Sequence, residues 1–167
     1  RQQAQNATTV AAWLKGRKDL PHVAFIGDPD HPQADIIVRQ MSGPSTLIAF
    51  EVAGGKDTAY RFLNRLKLLR ISNNLGDAKS LIVHPATTTH QRFTPEVRAS
   101  MGVGDGLVRL SIGLEHPDDL IADLAEDGDV VVTADRELAG RVGARGAAAV
   151  GPGRVLAHLP RPPRRDR

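Results

Sequence analysis

An α+β fold, a sheet layered with helices, is what this sequence predicts, and three observations predict it. Leu107 to Leu114 alternates apolar and small or polar residues at the period of a strand. Lys56 to Leu69 repeats its apolar residues at the period of a helix. Neither G-x-G-x-x-G nor a P-loop is present, which speaks against a doubly wound nucleotide fold.

The first segment reads as a helix, because Ala7, Val10, Ala11 and Leu14 share one face and Gly16 marks the end. After a loop through Pro21, Val23 to Ile26 forms a short strand, and Gly27-Asp28-Pro29-Asp30 is turn chemistry. Asp30 or His31 then caps a helix with Pro32 near its first position, where a missing N–H costs nothing. That helix runs through Ile36, Ile37 and Gln40 until Gly43-Pro44. Thr46 to Val52 is a strand closed by Gly54-Gly55. The helix of Lys56 to Leu69 sets Ala59, Phe62, Leu63, Leu66 and Leu69 against Arg61, Arg65 and Lys67.

From Ile71 to His90 the character changes to polar loops with one short apolar run, Ser80 to Val83. Loops held between regular elements are where sites tend to be built. Thr94-Pro95-Glu96 opens a helix with a good N-cap, and Gly102 closes it. In the strand that follows, Val108, Leu110, Ile112 and Leu114 share one face, leaving Arg109, Ser111 and Gly113 on the other. His116-Pro117-Asp118-Asp119 begins a further helix through Leu120, Ile121 and Leu124, with its acids placed for the helix dipole. Beyond it, Asp129 to Leu138 reads as a strand leading into a helix, with Gly146 to Gly153 after that.

At 167 residues the chain holds one ordinary domain, or a small domain plus an appendage. No apolar run approaches membrane-spanning length, and Arg1 to Gln5 lacks the pattern of a secretory signal. The chain opens on Arg1 rather than Met, so residues are expected upstream. The absence of cysteine excludes disulfides, a thiolate zinc site and a cysteine nucleophile, and it fits a cytoplasmic protein. The pI of about 9.7 invites a nucleic-acid partner. However, Pro160 to Arg167 carries the whole formal charge of +3, leaving a neutral body. Such a tail reads as a solvated, disordered end rather than a binding stripe.

Arg109 is the foremost candidate for function. It sits mid-strand opposite the apolar row, where a guanidinium is costly unless it meets solvent or an anion. Ser111 and Gly113 keep that face small and leave room for a ligand. Arginine grips a carboxylate in two prongs, which lysine cannot copy. The bland alternative is an exposed arginine on a half-solvated sheet. Asn73, Asn74 and Gly76 suggest a turn able to hold an anion, or else a simple loop. His84 and His90, six residues apart with no third ligand evident, define no metal site. Lys79, as a Schiff-base lysine, has no activating neighbour in sequence and reads as a surface residue.

The segment Ile71 to Leu81, with Ser72-Asn73-Asn74-Leu75-Gly76-Asp77, is followed by His84-Pro85-Ala86-Thr87-Thr88-Thr89-His90 and then Leu107 to Glu115. Together these closely resemble the Cys/Met-metabolism family of pyridoxal-phosphate (PLP) enzymes. So do His31-Pro32-Gln33 and Arg39 to Gly43. The similarity covers residues 1 to about 126, and the Asn-Asn-Leu-Gly-Asp form looks most like the O-succinylhomoserine sulfhydrylase branch. The resemblance implies the small C-terminal domain of a fold-type I PLP-dependent transferase over residues 1–126. It implies that Arg109, in the R-L-S-x-G motif, binds the substrate α-carboxylate. Asn74 falls at a neighbouring position that is often serine in the family. The implied reaction is γ-replacement: sulfide displaces succinate (or acetate) from an acyl-homoserine to give homocysteine, in a homo-oligomer, with tetramers implied.

The same resemblance assigns the Schiff-base lysine and cofactor cradle to a large domain that this sequence does not contain. No catalytic or cofactor-binding residue is therefore expected here, nor PLP binding or catalysis by this chain alone. Residues 127–159 resemble the closing strand-helix-strand of a PIN-like (NYN) nuclease domain. In that setting Asp135 matches a metal-binding acid, although a helix N-cap explains it equally. Residues 160–167 form the basic tail. Two other function classes stand beside the enzyme: a non-catalytic interaction or assembly module, and a remnant of a metal-dependent nuclease.

Overall fold

A computed structural model describes residues 1–126 and 129–151. The tail expected to be disordered, 160–167, lies outside the described residues. The chain divides into two compact units, Arg1–Leu124 and Ala125–Arg167.

In the first unit, helices α1 (Gln2–Gly16), α2 (Ala34–Gln40), α3 (Gly55–Arg65), α4 (Pro95–Ser100) and α5 (Pro117–Leu124) accompany five strands. The strands are β1 (Val23–Phe25), β2 (Leu47–Glu51), β3 (Arg70–Ile71), β4 (Leu81–Val83) and β5 (Leu107–Ser111). They form one sheet in the order β1-β2-β5-β4-β3, antiparallel except for the parallel pair β3–β4. This is the α+β sheet with helices that the sequence predicts.

The core lies on the even side of β5, where Val108, Leu110 and Ile112 have no exposed surface. Each such side chain contributes about 1.5–3 kcal/mol by leaving water. The expected face of α1 is buried throughout, and α1 packs on α5, β1 and β2. Phe50 of β2 meets Phe62 of α3 edge to face at 5.8 Å.

Four expectations need correction. α3 ends at Arg65 rather than Leu69, because the buried Asp123 carboxylate accepts the N–H groups of Lys67, Leu68 and Leu69 and peels that stretch off the helix. α2 begins at Ala34, and neither Asp30 nor His31 caps it; its N-cap Gln33 donates its own N–H to His31 Nδ1 at 3.1 Å. Leu114 falls beyond β5 and is 57% exposed instead of joining the core row. Finally, the apolar run at 80–83 contains a strand, β4, buried on both faces, so it shows no alternation.

The second unit contains β6 (Val130–Val132), α6 (Arg136–Gly143) and β7 (Ala148–Val150), with β6 and β7 parallel. This is the strand-helix-strand expected after residue 127.

Candidate functional site

The parallel pairing of β3 with β4 sets the site. Two parallel neighbours oblige the chain to return to the end where it started. The connector 72–80 makes that return along the odd side of β5, and each step is fastened. Arg109 Nη2 donates to the Asn73 carbonyl at 3.0 Å. The Gly76 N–H donates to Ser111 Oγ at 3.1 Å, with Gly76 in the left-handed region at φ +74°. The Leu114 N–H donates to the Ala78 carbonyl at 2.8 Å. Ser80 donates its N–H and its hydroxyl to the two carboxylate oxygens of Glu115, each at 2.8 Å. A Cβ at Gly113 would stand 2.4 Å from the Ala78 carbonyl oxygen, so the connector approaches that closely only because position 113 is glycine.

Helix α1 braces the same edge. Buried Asn6 donates to the carbonyls of Gly113 and Glu115 at 3.2 and 2.9 Å, and Gln3 donates to the Asp77 carbonyl at 2.7 Å. Ser111 and Gly113 thus give their space to the connector. The expectation that they leave room for a ligand is corrected.

The Arg109 guanidinium leans toward Asn73 instead of into bulk water. Its Nε is buried and has no hydrogen-bond partner among the described residues, and Nη1 makes no bond there either. Burial pulls its pKa below the usual guanidinium value, yet an arginine stays charged at neutral pH. A half-buried cation with one carbonyl as its only acceptor among the described residues is under-satisfied, and a carboxylate arriving at Nη1 and the free Nη2 proton would relieve it. Asn73 and Asn74 expose their side chains beside it, and the Asn74 N–H donates to Ser72 Oγ at 3.3 Å. The structure therefore brings Arg109 to the Asn-Asn turn, while Asn74 makes no hydrogen bond with the guanidinium.

Other candidates find structural employment. His84 is buried, with Nε2 2.8 Å from the Asp105 carbonyl and Nδ1 2.9 Å from Thr87 Oγ1. A carbonyl can only accept, so Nε2 donates to it, and the Thr87 oxygen beside Nδ1 accepts the Tyr60 hydroxyl at 2.8 Å. His90 Nδ1 pairs with Thr89 Oγ1. Asp135 Oδ1 accepts the N–H groups of Glu137 and Leu138, the bonds of an N-cap. Among the described residues no group of three His, Cys, Asp or Glu could hold a metal ion, and what the structure shows of Asp135 is the cap.

All five lysines, Lys15, Lys18, Lys56, Lys67 and Lys79, are exposed. A lysine that holds an aldehyde cofactor needs an enclosing, desolvating pocket. None of the five lysines has that setting. Sequence reasoning missed Asn6, Ser80 and Glu115, whose roles lie in contacts far apart in the chain.

The family model for Cys/Met metabolism PLP-dependent enzymes matches residues 1–127. O-succinylhomoserine sulfhydrylase of Pseudomonas aeruginosa is 45% identical over 127 residues, 75% of this chain and 32% of that protein. L-methionine gamma-lyase of Porphyromonas gingivalis is 43% identical over 131 residues, 78% of this chain and 33% of that one. The solved structure of cystathionine gamma synthase from Xanthomonas oryzae pv. oryzae superimposes with a TM-score of 0.70 at 35% identity, covering 87% of this chain and 35% of that one. The chain spans about a third of the length of the curated relatives it matches.

Proposed function

The chain belongs to the Cys/Met metabolism family of PLP-dependent enzymes, and from that premise we propose that it is the substrate-carboxylate-binding part of an acyl-homoserine sulfhydrylase. Arg109 is the receptor, and Asn74 lies beside the bound amino acid. One observation carries the reading: a half-buried guanidinium held against the Asn-Asn turn, whose Nε and Nη1 have no hydrogen-bond partner among the described residues. O-succinylhomoserine is preferred as substrate because a relative at 45% identity carries that name, and O-acetylhomoserine is the alternative. The net change is displacement of the acyl carboxylate by sulfide to give homocysteine.

PLP belongs to the remaining two thirds of such an enzyme, and this chain alone binds none and does not turn over. Assembly into a homo-oligomer, tetrameric by resemblance, completes the proposal. Among the described residues no helix is long and apolar enough to cross a membrane, and a cytoplasmic setting is proposed with the enzyme class.

The test is titration of this chain with O-succinyl-L-homoserine, followed by NMR of the Arg109 side chain. One charge-assisted pair, about 2.7 kcal/mol, corresponds to a Kd on the order of 10 mM. The Arg109 signal is expected to shift and saturate, and the response to vanish in Arg109→Ala. No shift, or a response that survives Arg109→Ala, overturns the reading. In a whole enzyme carrying this domain, Arg109→Ala lowers kcat/KM by about 30- to 1000-fold, the equivalent of ~2–4 kcal/mol.

A further inference from the structure

We propose that Glu115, acting with Ser80, is the positioning residue of this site: its carboxylate holds the connector 72–80 so that the Asn73 carbonyl meets Arg109. The inference rests on Arg109 being the carboxylate receptor and adds the residues that aim it. Ser80 has no exposed surface, and its hydroxyl serves twice, accepting the Gly113 N–H at 2.8 Å and donating to Glu115 Oε2 at 2.8 Å. Its own N–H donates to Glu115 Oε1. Without that carboxylate, a buried N–H and a buried hydroxyl both lose their acceptor, a state that proteins relieve by moving.

The connector is the part able to move. Asn73 to Lys79 are all exposed, so what retains them is chiefly backbone hydrogen bonding to β5 and α1. Arg109 has most to lose from such a shift, because the Asn73 carbonyl is its one acceptor among the described residues. Glu115 makes no hydrogen bond or ion pair with the guanidinium and acts through the connector.

Hydrogen exchange in this chain tests the assignment. The readouts are the Arg109 Nε–H and the Gly76 amide, with the Val108 and Leu110 amides reporting the sheet itself. Glu115→Ala is expected to accelerate exchange at Arg109 and Gly76 at least about tenfold, while Val108 and Leu110 change less than about twofold. Glu115→Gln, whose amide oxygen still accepts the Ser80 N–H, restores most of the protection. Unchanged rates at Arg109 and Gly76, or acceleration matched at Val108 and Leu110, overturn the proposal. Should Glu115→Ala not fold, Ser80→Ala, which removes only the hydroxyl, decides by the same comparison.

The carboxylate titration is independent of this result. A wild-type chain that binds no carboxylate while Glu115→Ala frees Arg109 sinks the receptor and leaves the positioning. A chain that binds through Arg109 with no effect of Glu115→Ala sinks the positioning alone.

Discussion

The connectors 72–80 and 84–90 are both polar, both follow short strands, and both read in sequence as places for a site, yet they spend their hydrogen bonds in opposite ways. In 84–90 the side chains are consumed: His84 and Thr87 bond to Asp105, Tyr60 and each other, and Thr88 Oγ1 returns to the His84 carbonyl. In 72–80 the backbone bonds chiefly to β5 and α1, and the side chains from Asn73 to Lys79 are exposed, Asp77 alone among them accepting a main-chain N–H, that of Lys79 at 3.0 Å. A frame that satisfies the main chain leaves side chains free to meet a ligand. A loop whose side chains serve the frame has none to offer.

The largest effect should come from the inward loop. His84→Ala takes its donor from the Asp105 carbonyl and leaves the Thr87 hydroxyl only Tyr60, and should cost about 2–4 kcal/mol in urea denaturation. The carboxylate titration of the folded fraction should stay unchanged, and altered affinity would break the contrast. Gly113→Ala sharpens it from the other side. Its methyl group meets the Ala78 carbonyl, so about 1–3 kcal/mol should be lost together with exchange protection at Gly76.

Arg109→Ala should lower stability by no more than ~1 kcal/mol in thermal melts, since its cation gains little from the folded frame, while ligand response disappears. A loss well above that would make Arg109 a structural residue. Asn74→Ala should stay within about 0.5 kcal/mol in the same melts while weakening binding severalfold. Lys79→Ala should change neither quantity.

Much of this was legible in sequence, and the rest was not for identifiable reasons. The buried face of α1, the alternation of β5 and the Thr94 cap of α4 are local patterns, and the structure follows them. Arg109 was legible as a cation on the wrong side of an apolar strand, and its motif carried the family resemblance. β4 was hidden because a strand covered on both faces loses the alternation that announces strands. Ser111 and Gly113 were misread because smallness in sequence says that something approaches, without saying what. Here it is the protein's own connector. Asn6 and Glu115 were silent because their partners lie 107–109 and 35 residues away.

The parallel β3–β4 pair also works as a ruler. With both strands fixed in register, from Arg70 opposite Leu81 to Ile71 opposite Ile82, the span between them has to cover one set distance along the sheet. One residue inserted between Asn73 and Ala78 would have to bulge into solvent or slide the fastenings by a position. Sliding would swap which groups face β5 and which face outward. Length polymorphism should therefore be rejected here, and a library of single-residue insertions scored for folding would map that boundary.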